Sequence, residues 1–216
     1  MTMHLYSYFR SSAAYRVRIA LHLKGQSFDI VPVHLLNNGG EQFAPAFREL
    51  NPLSQVPVLQ EDGQHITQSL AILEYLEERF PTPALLPAGL ADRARVRAIA
   101  LAVACDIHPL NNLRVLGMLK RELNMSEETK KRWIGHWIDL GFNALERQLA
   151  ASPQRGRYCF GDTPTMADCC LIPQIFNARR FDVDMAPYPA LAAIDAACSD
   201  LKAFQLAHPS VQPDAA

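Results

Sequence analysis

The chain has 216 residues, 49% of them hydrophobic and 20% charged, enough for one large or two small cores. Its 21 basic and 22 acidic side chains leave a formal net charge of −1, so no overall field favours nucleic acid or an anionic membrane as partner. The longest apolar run, residues 98–105, is far short of the roughly 18 residues a membrane span requires, and the N-terminus does not read as a signal peptide.

Residues 5–9 and 28–33 are rich in aromatic and β-branched side chains and predict strands; Pro32, lacking a backbone donor, places the second at a sheet edge. Between them Ala13, Ala14, Val17, Ala20 and Leu21 recur at helical spacing, Arg16, Arg18 and His22 take other faces, and Gly25 supplies a stop. A helical segment is expected near residues 43–50. Val56-Pro57-Val58-Leu59 then reads as a strand entering a tight Asp62-Gly63 hairpin, with His65-Ile66-Thr67 returning. Ser69 is the expected N-cap of a helix whose Ile72, Tyr75, Leu76 and Phe80 form one apolar face.

The stretch from Pro81 to Pro87 holds three prolines in its first seven residues and reads as a stiff linker. Beyond it strand signals largely vanish. Asp92 is the expected cap of a helix carrying Val96, Ile99, Val103, Ile107 and Leu110, kinked at Pro109. Ser126 caps another, with Trp133, Trp137, Leu145 and Leu149 on one side. Thr165-Met166-Ala167-Asp168 resembles a capping box, and the tail from His208 onward reads as polar and surface-lying.

The five cysteines (105, 159, 169, 170 and 198) are odd in number and form no C-x-x-C pair, which argues against a disulfide framework or zinc ribbon and for a reducing cytoplasm. The seven histidines show no ligand spacing, so no metal is expected.

Two helix starts are candidate anion sites, because orphan amides and the positive dipole end gather there. One is Arg10-Ser11-Ser12-Ala13; the other is Gln68-Ser69. Each serine has a simpler reading as an N-cap. Val56-Pro57 is a third feature: a cis bond there suits a backbone clamp on an extended peptide, although most X-Pro bonds are trans.

Taken in order, these features resemble the zeta class of the glutathione transferases, which includes maleylacetoacetate and maleylpyruvate isomerases. The residues carrying the likeness are Tyr8-Phe9-Arg10-Ser11-Ser12, Tyr15-Arg16-Val17-Arg18-Ile19-Ala20-Leu21, Leu50-Asn51-Pro52, Gln55-Val56-Pro57, Gln68-Ser69, Asp106-Ile107-His108-Pro109-Leu110-Asn111-Asn112 and Gly161-Asp162-Thr163-Pro164 with the box that follows. Arg180-Phe181, Pro187-Tyr188-Pro189 and Gln212-Pro213-Asp214 extend it to the C-terminus.

The resemblance implies an α+β protein: a thioredoxin-like domain (βαβαββα) over residues 1–82, a linker over 83–90 and an all-α domain over 91–216. It implies glutathione as cofactor, with Ser11, Ser12 and the Ala13 amide at the sulfur, Gln42 at the glycyl end, Val56 as the backbone clamp and Gln68 with Ser69 at the γ-glutamyl group. His108 and Asn112, four apart, reach glutathione as well in the family; as a bare pair they read equally as surface polar residues. Arg10 and Arg180 correspond to residues that bind the carboxylates of a maleyl diacid, which is isomerised from cis to trans. A homodimer is implied too. Many zeta members carry cysteine where this chain has Ala13, so the nucleophilic sulfur is expected from glutathione alone. The rival readings are a conjugating transferase and a non-catalytic binding protein of the same fold.

Overall fold

The computed structural model describes residues 3–215. By contact they fall into two units, Met1–Leu85 with Asp200–Ala216, and Leu86–Ser199.

In the first unit, alternating burial along β1 (Met3–Ser7) sends Met3, Leu5 and Ser7 inward on one side and leaves Tyr6 for the other. α1 (Ser12–Leu23) follows, and β2 (Phe28–Pro32) then pairs parallel to β1, Leu5 opposite Ile30. The chain crosses through α2 (Pro45–Leu50) to β3 (Val58–Glu61), which pairs antiparallel to β1 and to β4 (Gln64–Thr67). The sheet order is β2-β1-β3-β4, so Pro32 does lie on an edge strand. Asp62 and Gly63, both at positive φ (50° and 77°), make the expected tight hairpin. α3 (Ser69–Arg79) closes the βαβαββα order. One sheet face packs Tyr8, Val33, Phe47, Val56 and Val58, with α2 contributing the phenylalanine.

The periodicity of α1 put Arg16 and Arg18 on faces other than its apolar one, and in the structure those faces are covered too: they are 2% and 0% exposed. The acceptors that make such burial tolerable come from distant segments. Arg18 donates to Ser7 Oγ, Phe9 O and Ala207 O, each at 3.0 Å. That last contact involves the C-terminal segment, α9 (Lys202–Ala207) and the tail beyond it. The sequence reading put residues 200–216 with the helical domain and left the tail on the surface. Instead the segment groups with the first unit, α9 packing on α1, while the tail does lie at the surface, with Ser210, Val211 and Pro213 exposed and only Pro209 and Gln212 buried. The expected linker is also partly fastened down. Lys24, paired with Glu77 at 2.5 Å, donates to Pro83 O at 2.7 Å, and Leu85 N donates to Glu77 at 2.8 Å.

The second unit begins with α4 (Leu90–Leu101), capped by Gly89 rather than Asp92, whose carboxylate sits in the first turn against Arg95 at 2.6 Å. The helix does not run on to Leu110. It widens to π geometry over Ala102–Ile107 and tightens to a 3-10 turn over His108–Asn111. Then come α5 (Leu113–Glu122), α6 (Glu127–Ala150), α7 (Met166–Arg180) and α8 (Pro189–Ser199). Ser126 caps α6 as expected, accepting from Thr129 N at 3.1 Å. The buried stripe of α6 is Ile134, Ile138, Phe142, Leu145 and Leu149, with both tryptophans only half-buried at its flank. At Gly141 a β-carbon would lie 2.2 Å from Ile107 Cδ1, so the close approach there requires glycine. α7 is buried nearly throughout, and Asp168, fully buried, takes bonds from Thr165 N at 2.7 Å and Cys159 N at 2.8 Å. No helix among the described residues is long and apolar enough to cross a membrane.

Candidate active site

In the first unit the start of α1 is built by Ser11, whose extended backbone (φ −68°, ψ 114°) precedes the first helical residue, Ser12. Ser11 Oγ accepts from Ala14 N at 3.2 Å, so the N-cap reading of this serine is right. A cap, however, spends only a lone pair. The hydroxyl hydrogen remains to donate, and a helix start is where backbone amides outnumber the acceptors the helix supplies. Ser11 is half-buried and Ser12 is 5% exposed, which makes Ser11 the more accessible of the two. Arg10 is exposed, its guanidinium 4.7 Å above the Phe9 ring.

At the start of α3 the cap position belongs to Gln68, not Ser69, and Gln68 is held at φ 68° without glycine's freedom. Ser69 is the first helical residue, 7% exposed, and its Oγ accepts from Arg16 Nη1 at 3.1 Å. That bond again leaves the serine hydrogen to donate outward, and it sets a buried guanidinium charge behind the helix start.

Gln42 lies in a short helical turn and is 7% exposed; its Nε2 donates to Leu35 O at 3.4 Å, while its buried Oε1 has no hydrogen-bond partner among the described residues. A β-carbon on Gly40 (φ 104°) would sit 2.6 Å from that amide, so glycine there keeps Gln42 in place. Val56, 8% exposed, precedes Pro57 through a cis bond, as the clamp reading required. Asn51 braces the loop that leads to it, donating to Gln55 O at 2.7 Å and accepting from Leu53 N at 3.1 Å.

In the second unit His108 and Asn112 do not share an α-helical face. His108 opens the 3-10 turn, and Asn112 is the extended N-cap of α5 (ψ 148°), accepting from Arg114 N at 3.1 Å. Sequence reasoning passed over Asn111 between them. It is 7% exposed, and both of its amide atoms lack partners among the described residues. Arg180 ends α7 with its guanidinium 4.7 Å from the Phe181 ring, whereas its neighbour Arg179 pairs with Asp195 at 2.6 Å.

The model of the glutathione S-transferase N-terminal domain matches residues 1–78, and that of the glutathione S-transferase C-terminal domain matches residues 138–194. The chain is 51% identical over 214 residues to a maleylpyruvate isomerase of Ralstonia sp, covering 99% of this chain and 100% of that protein. It is similar to the holo structure of a maleyl pyruvate isomerase described as a bacterial zeta-class glutathione S-transferase, with TM-score 0.95, 50% identity and full coverage of both chains. It is also similar to a maleylacetoacetate isomerase from Anaeromyxobacter dehalogenans 2CP-1 solved with glutathione in the active site, with TM-score 0.88, 48% identity, and 100% and 98% of the two chains covered.

Proposed function

The chain belongs to the glutathione transferase family, in its zeta class, and on that premise we propose that it is a glutathione-dependent isomerase converting maleylacetoacetate to its fumaryl isomer. The observation that carries this reading is the start of α1. Ser11 caps that helix with its hydroxyl hydrogen left to donate, and residue 13 is alanine, so the helix start suits a thiolate while carrying no thiol of its own.

The residues suit glutathione. The partnerless Gln42 Oε1 is a buried acceptor waiting for a donor, and the Ser69 hydrogen and α3 amides suit the γ-glutamyl carboxylate. Bound glutathione supplies a thiol that adds reversibly to the cis double bond and so permits rotation. Ser11 and the first amides of α1 hold that sulfur in its anionic form, since a helix N-terminus and hydroxyl donation both lower a thiol pKa. Arg10 and Arg180 each offer a guanidinium of the kind that suits a carboxylate of the diacid.

A second reading takes maleylpyruvate as the substrate, and the 51% identity to the Ralstonia maleylpyruvate isomerase is the observation that favours it. Steady-state rates on both compounds with glutathione present decide between them. Conjugation of apolar electrophiles fits less well with arginines assigned to the second substrate.

The two anion sites are separable. Ser69→Ala should weaken glutathione by about 1–3 kcal/mol, the loss of one donor to a charged group. Arg180→Ala should leave glutathione binding alone while raising KM and lowering kcat for the diacid. Calorimetric titration of glutathione, followed by assays at saturating glutathione, separates the effects. Loss of glutathione binding in Arg180→Ala, or unimpaired isomerisation, would remove Arg180 from the substrate site.

We further infer a cytoplasmic homodimer. The five free cysteines suit a reducing compartment, and two-fold pairing is the commonest symmetric assembly. Sedimentation at micromolar concentration checks this, and a species of 24.1 kDa would contradict it.

A further inference from the structure

Between β1 and α1 the chain has only Tyr8, Phe9 and Arg10 in which to turn and deliver Ser11. So short a connection is fixed through its backbone, and its backbone partners are charged side chains from elsewhere in the first unit. Tyr8 O accepts from Ser11 N at 2.9 Å and from Arg18 Nη1 at 3.4 Å. Phe9 O accepts from Arg18 Nη2 at 3.0 Å, and Phe9 N donates to Asp214 Oδ2 at 2.9 Å. Phe9 is thus gripped at its carbonyl by a guanidinium and at its amide by a carboxylate 205 residues away.

Neither charge resides there cheaply. Arg18 has no exposed surface, and burial pulls its guanidinium down to about 10, against the opposing pull of Tyr15 and Asp214. Asp214 Oδ1 is buried with no hydrogen-bond partner among the described residues. The tail that carries Asp214 is itself tied down, Gln212 Nε2 donating to Leu206 O and His208 O, both at 2.9 Å.

We propose that Asp214 is a positioning residue for the thiol site: through the Phe9 amide, and opposite Arg18, the C-terminal tail fixes the turn that aims Ser11. This rests on the reading of Ser11 as the glutathione sulfur's partner. A hydrogen bond weakens steeply as its donor turns off line, and the grip on Phe9 lies two residues from the Ser11 donor.

The test compares Asp214→Ala with Asp214→Asn in the full chain. Three quantities are read: glutathione affinity by calorimetry, the thiolate fraction of bound glutathione by ultraviolet absorbance at one fixed pH, and melting. Asp214→Ala should bind glutathione about tenfold more weakly, the loss of one bond to a charged acceptor, and hold less of it as thiolate. Asp214→Asn should recover both, because its carbonyl oxygen still accepts from Phe9 N. A role in stability alone would move melting without moving the thiolate fraction. Wild-type ionisation in Asp214→Ala, or equal impairment of the two variants, overturns the proposal. An unaltered chain that fails to ionise bound glutathione would instead overturn the Ser11 reading beneath it.

Discussion

Asp168→Ala should destabilise the protein by about 3–5 kcal/mol, the range expected when a buried, fully hydrogen-bonded carboxylate is removed from its donors. Asp168 is 0% exposed, and its two oxygens take bonds from Cys159 N (2.8 Å), Thr165 N (2.7 Å) and Thr165 Oγ1 (2.8 Å). Burial pushes its carboxyl above the usual range, and the Cys159 and Thr165 donors pull it back. Alanine strands two buried amides at about 1–3 kcal/mol each and leaves a cavity at the first turn of the most buried helix, α7. For a chain of this length the melting midpoint should fall by about 10 °C. Asp168→Asn keeps one acceptor and should lose clearly less. Thermal and urea unfolding of both variants checks this, and a loss below about 1 kcal/mol for alanine would mean that water replaces the carboxylate.

Local chemistry was legible where a residue's role depends on its immediate neighbours. The strands, the Asp62-Gly63 turn, the Ser126 cap and the Thr165–Asp168 pair could all be found by propensity and spacing. So could the two helix starts, because capping and anion binding ask for the same donors. Ser69 shows the limit of that overlap. The cap was one residue earlier, at Gln68 in a left-handed conformation that no propensity rule assigns to glutamine.

What escaped notice was set by partners far along the chain. Periodicity put Arg16 and Arg18 off the apolar face of α1 but could not show that those faces are buried. Their burial is made tolerable by Ser69, 53 positions away, and by Ala207, 189 positions away. The tail from His208 lies at the surface as its composition indicated, but composition could not show that Asp214 accepts from Phe9 N, 205 positions away. Pro109 was expected to kink a continuous helix. Pro109 itself lies in the 3-10 turn His108–Asn111, and the carbonyl four residues back, that of Cys105, falls within the π segment Ala102–Ile107, so the change of helical pitch takes the place of a kink.

The largest expected effect on activity follows from withdrawing glutathione. Ala13 leaves no thiol at the start of α1, and four of the five cysteines are buried, with Cys159 and Cys198 pushed by burial well above the usual thiol range. The start of α1 therefore carries no thiol of its own to ionise. Isomerisation of maleylacetoacetate should be followed with protein freed exhaustively of thiols, then again after glutathione is restored, with free glutathione measured before and after turnover. The account predicts no turnover without glutathione, full recovery on its return and no net consumption. Appreciable turnover by the thiol-free protein, or glutathione consumed in step with product, would contradict it.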